Sequence, residues 1–435
     1  MKGRFLVLLL TAVLLVSGCA VKIDIPDEPQ PGSADEAVIQ PQTDPDAVAS
    51  AIPPEPVEPP QPAEPEPEPL YLTDEDVADA IHAALEKFNA CSISAATIEH
   101  GEVSACSAWG WAERDVREMT TDTKVRVASL SKVAVAMGAM KAVEEGKLSL
   151  DAPLSDYWGE SVRNPYSKGQ PTARSLMTHT STLMDLDPVN GLEKLRGILS
   201  SDRYRSFEPG NGGYWYYSNF GADVLGVTVE LATEQRLDLY LREKFFAPMG
   251  VSASLHSGTF EESELATLYN NTYYDVARSA ATQASFPIPE GIADGAIYYA
   301  GGLNISAPDL ARLVCILAGD GVYDGTRYLS AESVAEMETP LFSVSQGEGV
   351  SKFEQCLILR RQDGVFGQSQ LCYHTGSAYG AFTLLSYNPE TGDGVVVLTV
   401  GAKRQTDEHG IYALCAAISE TLYGKLNDYR DEVIP

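Results

Sequence analysis

The spacing of apolar and polar positions divides the chain into three unlike stretches. Residues 5–16 are almost wholly apolar and follow Lys2 and Arg4. Residues 24–69 show no apolar period at all. Regular patterns begin at about residue 71. Val77, Ile81, Ala84, Leu85 and Phe88 recur at helical spacing behind Thr73, whose hydroxyl suits an N-cap, so a helix is predicted there. Strands are expected at about 92–98 and 103–111, turning at His100-Gly101. The apolar run Val125–Met140 has helical spacing, and Gly146 is a suitable residue to end it. Residues of about 150–290 read as loop-rich and helical, with helices near 222–232 and 237–246. A hairpin at 382–387 and 394–400 should turn around 388–392, and a terminal helix should cover about 407–424. Helices at both ends with antiparallel strands between them argue for an α/β body.

Composition sharpens the first two stretches. The basic start, short apolar core and small residues of Val16-Ser17-Gly18-Cys19 read as an export signal. The last four resemble a bacterial lipobox, which implies lipidation at Cys19 after removal of residues 1–18. The apolar run is short for a membrane-spanning helix, so the lipid would be the anchor. Residues 19–70 then form a tether. Fourteen of the 26 prolines fall in 24–69 with twelve carboxylates and no Lys or Arg, so this stretch cannot bury a core. Extended at ~3.1 Å per residue, it would hold a catalytic body more than about 100 Å from the lipid. The remaining 71–430 is long enough for a substantial core. That body keeps 28 basic against 49 acidic residues, which argues against a nucleic-acid partner.

Three short motifs suggest chemistry. Ser129-Leu130-Ser131-Lys132 is an S-x-x-K at the start of a helical run, where i and i+3 share a face. A serine hydroxyl becomes nucleophilic when a neighbour takes its proton, which a lysine kept neutral by its surroundings can do. Ser131, at i+2, should point away from that pair. The tetrad alone is weak, since about one match is expected by chance in a chain this long. Tyr217-Ser218-Asn219 follows a Pro/Gly-rich loop and precedes an apolar helix. His374-Thr375-Gly376 lies in a β-rich run. A tyrosine relays protons, an asparagine orients a lysine and substrate, and a strand of small residues lets substrate pair with its backbone.

In this order, separated by 88 and 157 residues, the three motifs resemble those of the penicillin-recognising serine enzymes. Those include low-molecular-weight penicillin-binding proteins, DD-carboxypeptidases, class C β-lactamases and related esterases. Val143–Pro153, Arg174–Leu183 (with Thr182 where glycine is usual) and Ala300–Arg312 resemble further family segments. The likeness runs from about residue 75 to the C-terminus. It implies a β-lactamase/DD-peptidase-like fold, with an antiparallel five-stranded sheet flanked by helices plus an all-α lobe at about 150–290. It also implies roles. Ser129 would be acylated, with Lys132 and Tyr217 moving its proton. Asn219 would hold Lys132 and the substrate amide. Thr375, Gly376 and Ser377 would line the substrate strand, the N–H groups of Ser129 and Ser377 forming the oxyanion hole. His179 falls outside the triplets and reads as structural.

His374 stands where most β-lactamases of this likeness carry lysine. A His-Thr-Gly motif resembles certain DD-carboxypeptidases, D-amino-acid peptidases and esterases instead. The expected substrate is a D-Ala-D-Ala-type peptidoglycan stem peptide, with an ester, a β-lactam or non-hydrolytic binding as alternatives. If His374 reads a substrate carboxylate as an imidazolium, that contribution should fade with rising pH. No cofactor is called for, because none of Cys91, Cys106, Cys315, Cys356, Cys372 and Cys415 has metal-site spacing. Cys315 and Cys415 read as buried helix residues. Cys356 and Cys372 flank a turn at 362–364, as a cross-strand bridge or as free thiols.

Overall fold

The computed structural model describes residues 72–159, 162–270 and 275–433. The expectations for the leader, Cys19 and the tether lie outside them. Helix α1 (Asp74–Phe88) opens on a capping box in which Thr73 and Asp76 satisfy each other's backbone N–H groups. Strands β1 (Ser92–Glu99) and β2 (Glu102–Glu113) follow, then β3 (Arg117–Glu118), β4 (Val125–Arg126) and helix α2 (Ser131–Glu144). Next come α3 (Ser155–Trp158), α4 (Ala173–Met177), α5 (Leu192–Leu199), α6 (Asn219–Thr233) and α7 (Leu237–Leu241), which continues as a π-helical turn to Phe246. A small hairpin of β5 (Leu268–Asn270) and β6 (Asp275–Arg278) interrupts this region before α8 (Ala280–Ala284). Beyond it lie β7 (Asn304–Ile305), α9 (Ala307–Ala318), β8 (Val322–Tyr323), β9 (Thr326–Arg327) and α10 (Ala331–Glu338). The chain closes with β10 (Phe342–Val344), β11 (Phe353–Gln355), β12 (Arg360–Gln362), β13 (Leu371–Ala378), β14 (Ala381–Tyr387), β15 (Gly394–Val400) and α11 (Ala413–Val433).

The sheet has nine strands where five were expected, in the order β10-β11-β12-β13-β14-β15-β1-β2-β3. All neighbours are antiparallel. Five long strands, β13-β14-β15-β1-β2, make its centre, and four strands of two or three residues extend the edges. Such short strands carry no readable period. Strand β15 is buried on both faces. Val395 and Val397 join α1 and α11 in one core, while Val396 and Leu398 join α2 and α9 in the other. That accounts for its unbroken apolar run.

The terminal helix begins at Ala413 rather than near 407. Asp407 caps a turn instead, its carboxylate accepting from the N–H groups of His409 and Ile411. The six cysteines among the described residues are free thiols. Strand β12 lies between the segments carrying Cys356 and Cys372, with Arg361 opposite Cys372, so the two thiols are not cross-strand neighbours. Burial raises both thiols, Cys356 to about 12.

Candidate active site

Ser129 sits in a single 3-10 turn, Ala128–Leu130, just before α2 rather than on the helix itself. Ala128 has φ 52°, a left-handed conformation costly for a residue with a side chain. Ser131 holds this turn in place. Its hydroxyl donates to the Ala128 carbonyl at 2.6 Å and accepts from the Leu303 N–H at 2.9 Å. Ser131 does point away from the Ser129–Lys132 pair, yet it ties the turn to a distant segment.

Lys132 is fully buried. Its Nζ donates to Ser129 Oγ at 3.1 Å, Asn219 Oδ1 at 2.9 Å and the Ala300 carbonyl at 2.6 Å. Asn219 is the first residue of α6, presented there by Ser218, whose hydroxyl caps the helix through the Gly221 N–H. Asp185 anchors this helix start by accepting from Ser218 Oγ and the Phe220 N–H. Tyr217 packs with its ring 5.1 Å from Lys132 Nζ. Burial alone would raise its hydroxyl. The Lys132 charge, hydrogen bonding with Ser129 and Lys132, and the more distant Arg360 outweigh burial and hold it below the usual tyrosine range. A tyrosine eased toward ionisation beside a serine is suited to move protons.

The third motif lies on β13. A methyl group on Gly376 would come within 2.2 Å of Thr383 Oγ1, 2.4 Å of the Val127 carbonyl and 3.2 Å of the Ser129 nitrogen. Only glycine lets the strand approach the nucleophile turn this closely, carrying Thr375 and Ser377 with it. Thr383 bridges the gap by donating to the Val127 carbonyl at 2.8 Å. The structure therefore brings Ser129, Lys132, Tyr217, Asn219, Gly376 and the adjoining Thr375 and Ser377 together.

His374 departs from the imidazolium expectation. Its side chain is buried, and desolvation, then Arg360, Lys132 and His179, drive its pKa well below 6.5. Its Nδ1 lies 2.8 Å from the Thr375 carbonyl, which can only accept, so the neutral ring carries its proton on Nδ1. A neutral imidazole cannot hold a carboxylate by charge. His179, read as structural, is in contact with the site. Its ring lies 4.4 Å from that of Tyr217, and its Nδ1 accepts from the Ser218 N–H at 3.3 Å. Burial, with Lys132 and Arg360 behind it, keeps His179 neutral too. It positions the Tyr217–Ser218 backbone.

Other contributors escaped the sequence reading. Arg360, on β12 opposite Tyr373, stacks on Phe353 with its Cζ 4.6 Å from the ring centroid. The ion pairs among the described residues leave it without a carboxylate. It is a fixed cation next to His374. Asp223, one turn along α6 from Asn219, accepts from the Ala300 N–H at 2.9 Å, and so fixes the peptide whose neighbouring carbonyl binds Lys132. Burial raises Asp223 to about 8, against the opposing pull of the Ala300 N–H and Lys132. Two turns further, Glu230 accepts from Tyr299 Oη, the Leu237 N–H and the Ala293 N–H. An acid within an apolar helical run was the available signal for both. Among the described residues no group of three His, Cys, Asp or Glu side chains converges as a metal site.

A family model described as Beta-lactamase matches residues 77–417. Esterase EstB of Burkholderia gladioli is 34% identical over 175 residues, covering 35% of this chain and 43% of its own. Penicillin-binding protein 4 of Amycolatopsis lactamdurans is 27% identical over 299 residues, covering 65% of this chain and 74% of its own. The match spans 43% to 60% of the length of the first curated relatives. Among solved structures, "EstCE1, a hydrolase with promiscuous acyltransferase activity" superposes with a TM-score of 0.65 at 21% identity, covering 81% of this chain and 99% of that one. At that identity it speaks for the fold.

Proposed function

The chain belongs to the Beta-lactamase family of serine hydrolases, and on that premise we propose that it is an exported DD-peptidase-like enzyme acylated at Ser129. The observation that carries the reaction class is the Ser129–Lys132 contact, braced by Asn219 and the Ala300 carbonyl with Tyr217 alongside. Ser129 Oγ would attack the substrate carbonyl while its proton passes to Lys132 or Tyr217. The N–H groups of Ser129 and Ser377 would take the developing oxyanion, each donor contributing roughly 3 kcal/mol in the transition state. As the C–N bond breaks, the proton would go to the leaving amine. Water would then cleave the acyl-enzyme by the reverse proton route.

The substrate class rests on Arg360. A D-Ala-D-Ala-type stem peptide ends in a carboxylate, and a guanidinium that has no carboxylate partner among the described residues and whose charge reaches His374 suits it. The relative named penicillin-binding protein 4 supports the same direction. For location, the apolar start and Val16-Ser17-Gly18-Cys19 support export and a lipid anchor at Cys19, with 19–70 as the spacer. A second reading, an esterase, is favoured by the relative named Esterase EstB.

Fluorescent penicillin followed by denaturing electrophoresis tests the proposal. Persistent labelling of the wild type, absent in Ser129→Ala, is expected. Rapid loss of label with antibiotic hydrolysis would mean a β-lactamase. Absence of label with ester turnover retained would mean an esterase.

A further inference from the structure

Two more guanidinium groups lie at the other end of β13 from Arg360. Arg126 closes β4, three residues before Ser129, and its Nε donates to the Gly301 carbonyl at 2.7 Å. Arg278 closes β6 and donates to the Ala277 carbonyl at 3.2 Å. Both stand against the ring of Tyr379, with Cζ atoms 5.1 and 4.8 Å from its centroid. No carboxylate among the described residues forms an ion pair with either. Carboxylates outnumber basic side chains 61 to 31 in this chain, so two arginines sharing a ring without an acid is not what composition favours. Burial weakens the hold of Arg126 on its proton; Tyr379 and Tyr298 oppose it, and the like charge of Arg278 adds a smaller push in the same direction as burial.

The tyrosine between them is itself strained. Tyr379 and Gly380 form the two-residue turn joining β13 to β14, with Ala378 opposite Ala381. Both have positive φ, 53° and 78°. Turns of this kind favour Asn-Gly, because a bulky residue at the first position costs energy. Here a tyrosine occupies it, 39% exposed.

We propose that Arg126 and Arg278, gathered about Tyr379, form a subsite for a carboxylate on the acyl portion of the substrate. Tyr379 lies six residues beyond Tyr373, the strand partner of Arg360, or roughly 20 Å along β13. Gly376, packed on the Ser129 turn, falls between them. A substrate lying along the strand with its carbonyl at Ser129 presents its two ends to two separate cationic groups. The assignment of ends rests on the proposed function, in which Arg360 takes the leaving group's carboxylate. The acyl side then faces Arg126 and Arg278. A carboxylate there accepts charge-assisted hydrogen bonds and relieves the repulsion between the arginines. The preferred substrate is accordingly an acidic acyl peptide.

Two substrate pairs test this. One compares glutamyl with glutaminyl acyl-D-Ala-D-Ala peptides; the other compares p-nitrophenyl hemiglutarate with p-nitrophenyl valerate. In Arg278→Gln, kcat/KM for the anionic member should fall about tenfold and for the neutral member change less than about twofold. Arg278→Lys should keep most of the preference. Added salt should erode the wild-type preference for the anionic member. An equal fall on both members, or none on either, overturns the subsite. If the wild type favours the hemiglutarate but cleaves neither peptide, the DD-peptidase reading fails and the subsite stands. If it cleaves both peptides alike and both esters alike, the subsite fails and the peptidase reading stands.

Discussion

Strand β13 and the segment 291–303 both press on the Ser129 turn, but different forces hold them there. β13 is fixed by backbone. It pairs with β14 over Cys372–Ala378 and with β12 over Leu371–Tyr373. The 291–303 segment has little strand pairing to rely on. Side chains hold its amides: Glu230 takes the Ala293 N–H, Asn190 that of Ile297, Asp223 that of Ala300 and Ser131 that of Leu303. One wall depends on strand register, the other on four polar side chains together with the backbone bonds of Val127 N–H to Leu303 and Gly191 N–H to Ala293. Substitutions and pH should therefore act mainly on the second, except where a new Cβ intrudes on the first.

Gly376→Ala should give the largest effect, because a methyl would collide with the Val127 carbonyl and push the strand from Ser129. A displacement approaching 1 Å costs roughly 100-fold in kcat. Near-normal acylation of this variant would show that the strand wall yields easily. Glu230→Ala tests the other wall. It strands three buried donors and should cost roughly 3 kcal/mol, read as a lower urea midpoint. An unchanged midpoint would mean that side chains do not fix the segment.

Asp223 sharpens the comparison through pH. Its carboxyl is raised from 3.8 to about 8, so the folded chain keeps a proton that the unfolded chain releases. That stabilisation is whole below about pH 4 and is lost as pH climbs through about 8, by up to about 1.4 kcal/mol per unit. Asp223→Asn should flatten this decline in chemical denaturation across that window. A decline identical to wild type would remove Asp223 from the account. The smallest effect concerns His374, which is neutral already. Preference for a carboxylate on the leaving group should stay flat from about pH 6 to 8, and Arg360→Gln should abolish it. A midpoint near 6.5 in kcat/KM that disappears in His374→Asn would restore the imidazolium.

Much of the site was legible because its parts are local in sequence. S-x-x-K, Y-x-N and H-T-G each place several functional groups within four residues, and the long strands carry strong apolar patterns. What escaped depends on distant partners. Arg360 is one of many arginines until β12 sets it against β13. Ala300 contributes a carbonyl, which no residue type announces. The charge of His374 is decided by burial and by Arg360 and Lys132, neither of them near it in sequence. The late start of α11 follows from the Asp407 turn, since an Asp before an apolar run reads equally well as a cap or a turn.

The three acceptors around Lys132 have a consequence for timing. An ammonium has three N–H bonds, and here each has its own partner: Asn219 Oδ1, the Ala300 carbonyl and Ser129 Oγ. The first two can only accept. In the uncharged amine, two N–H bonds satisfy them and the lone pair falls at the remaining tetrahedral corner, directed at the serine oxygen. The same arrangement thus serves the lysine before and after a proton crosses, with no rotation about the side chain. Whatever barrier the transfer meets, waiting for the amine to turn is not part of it.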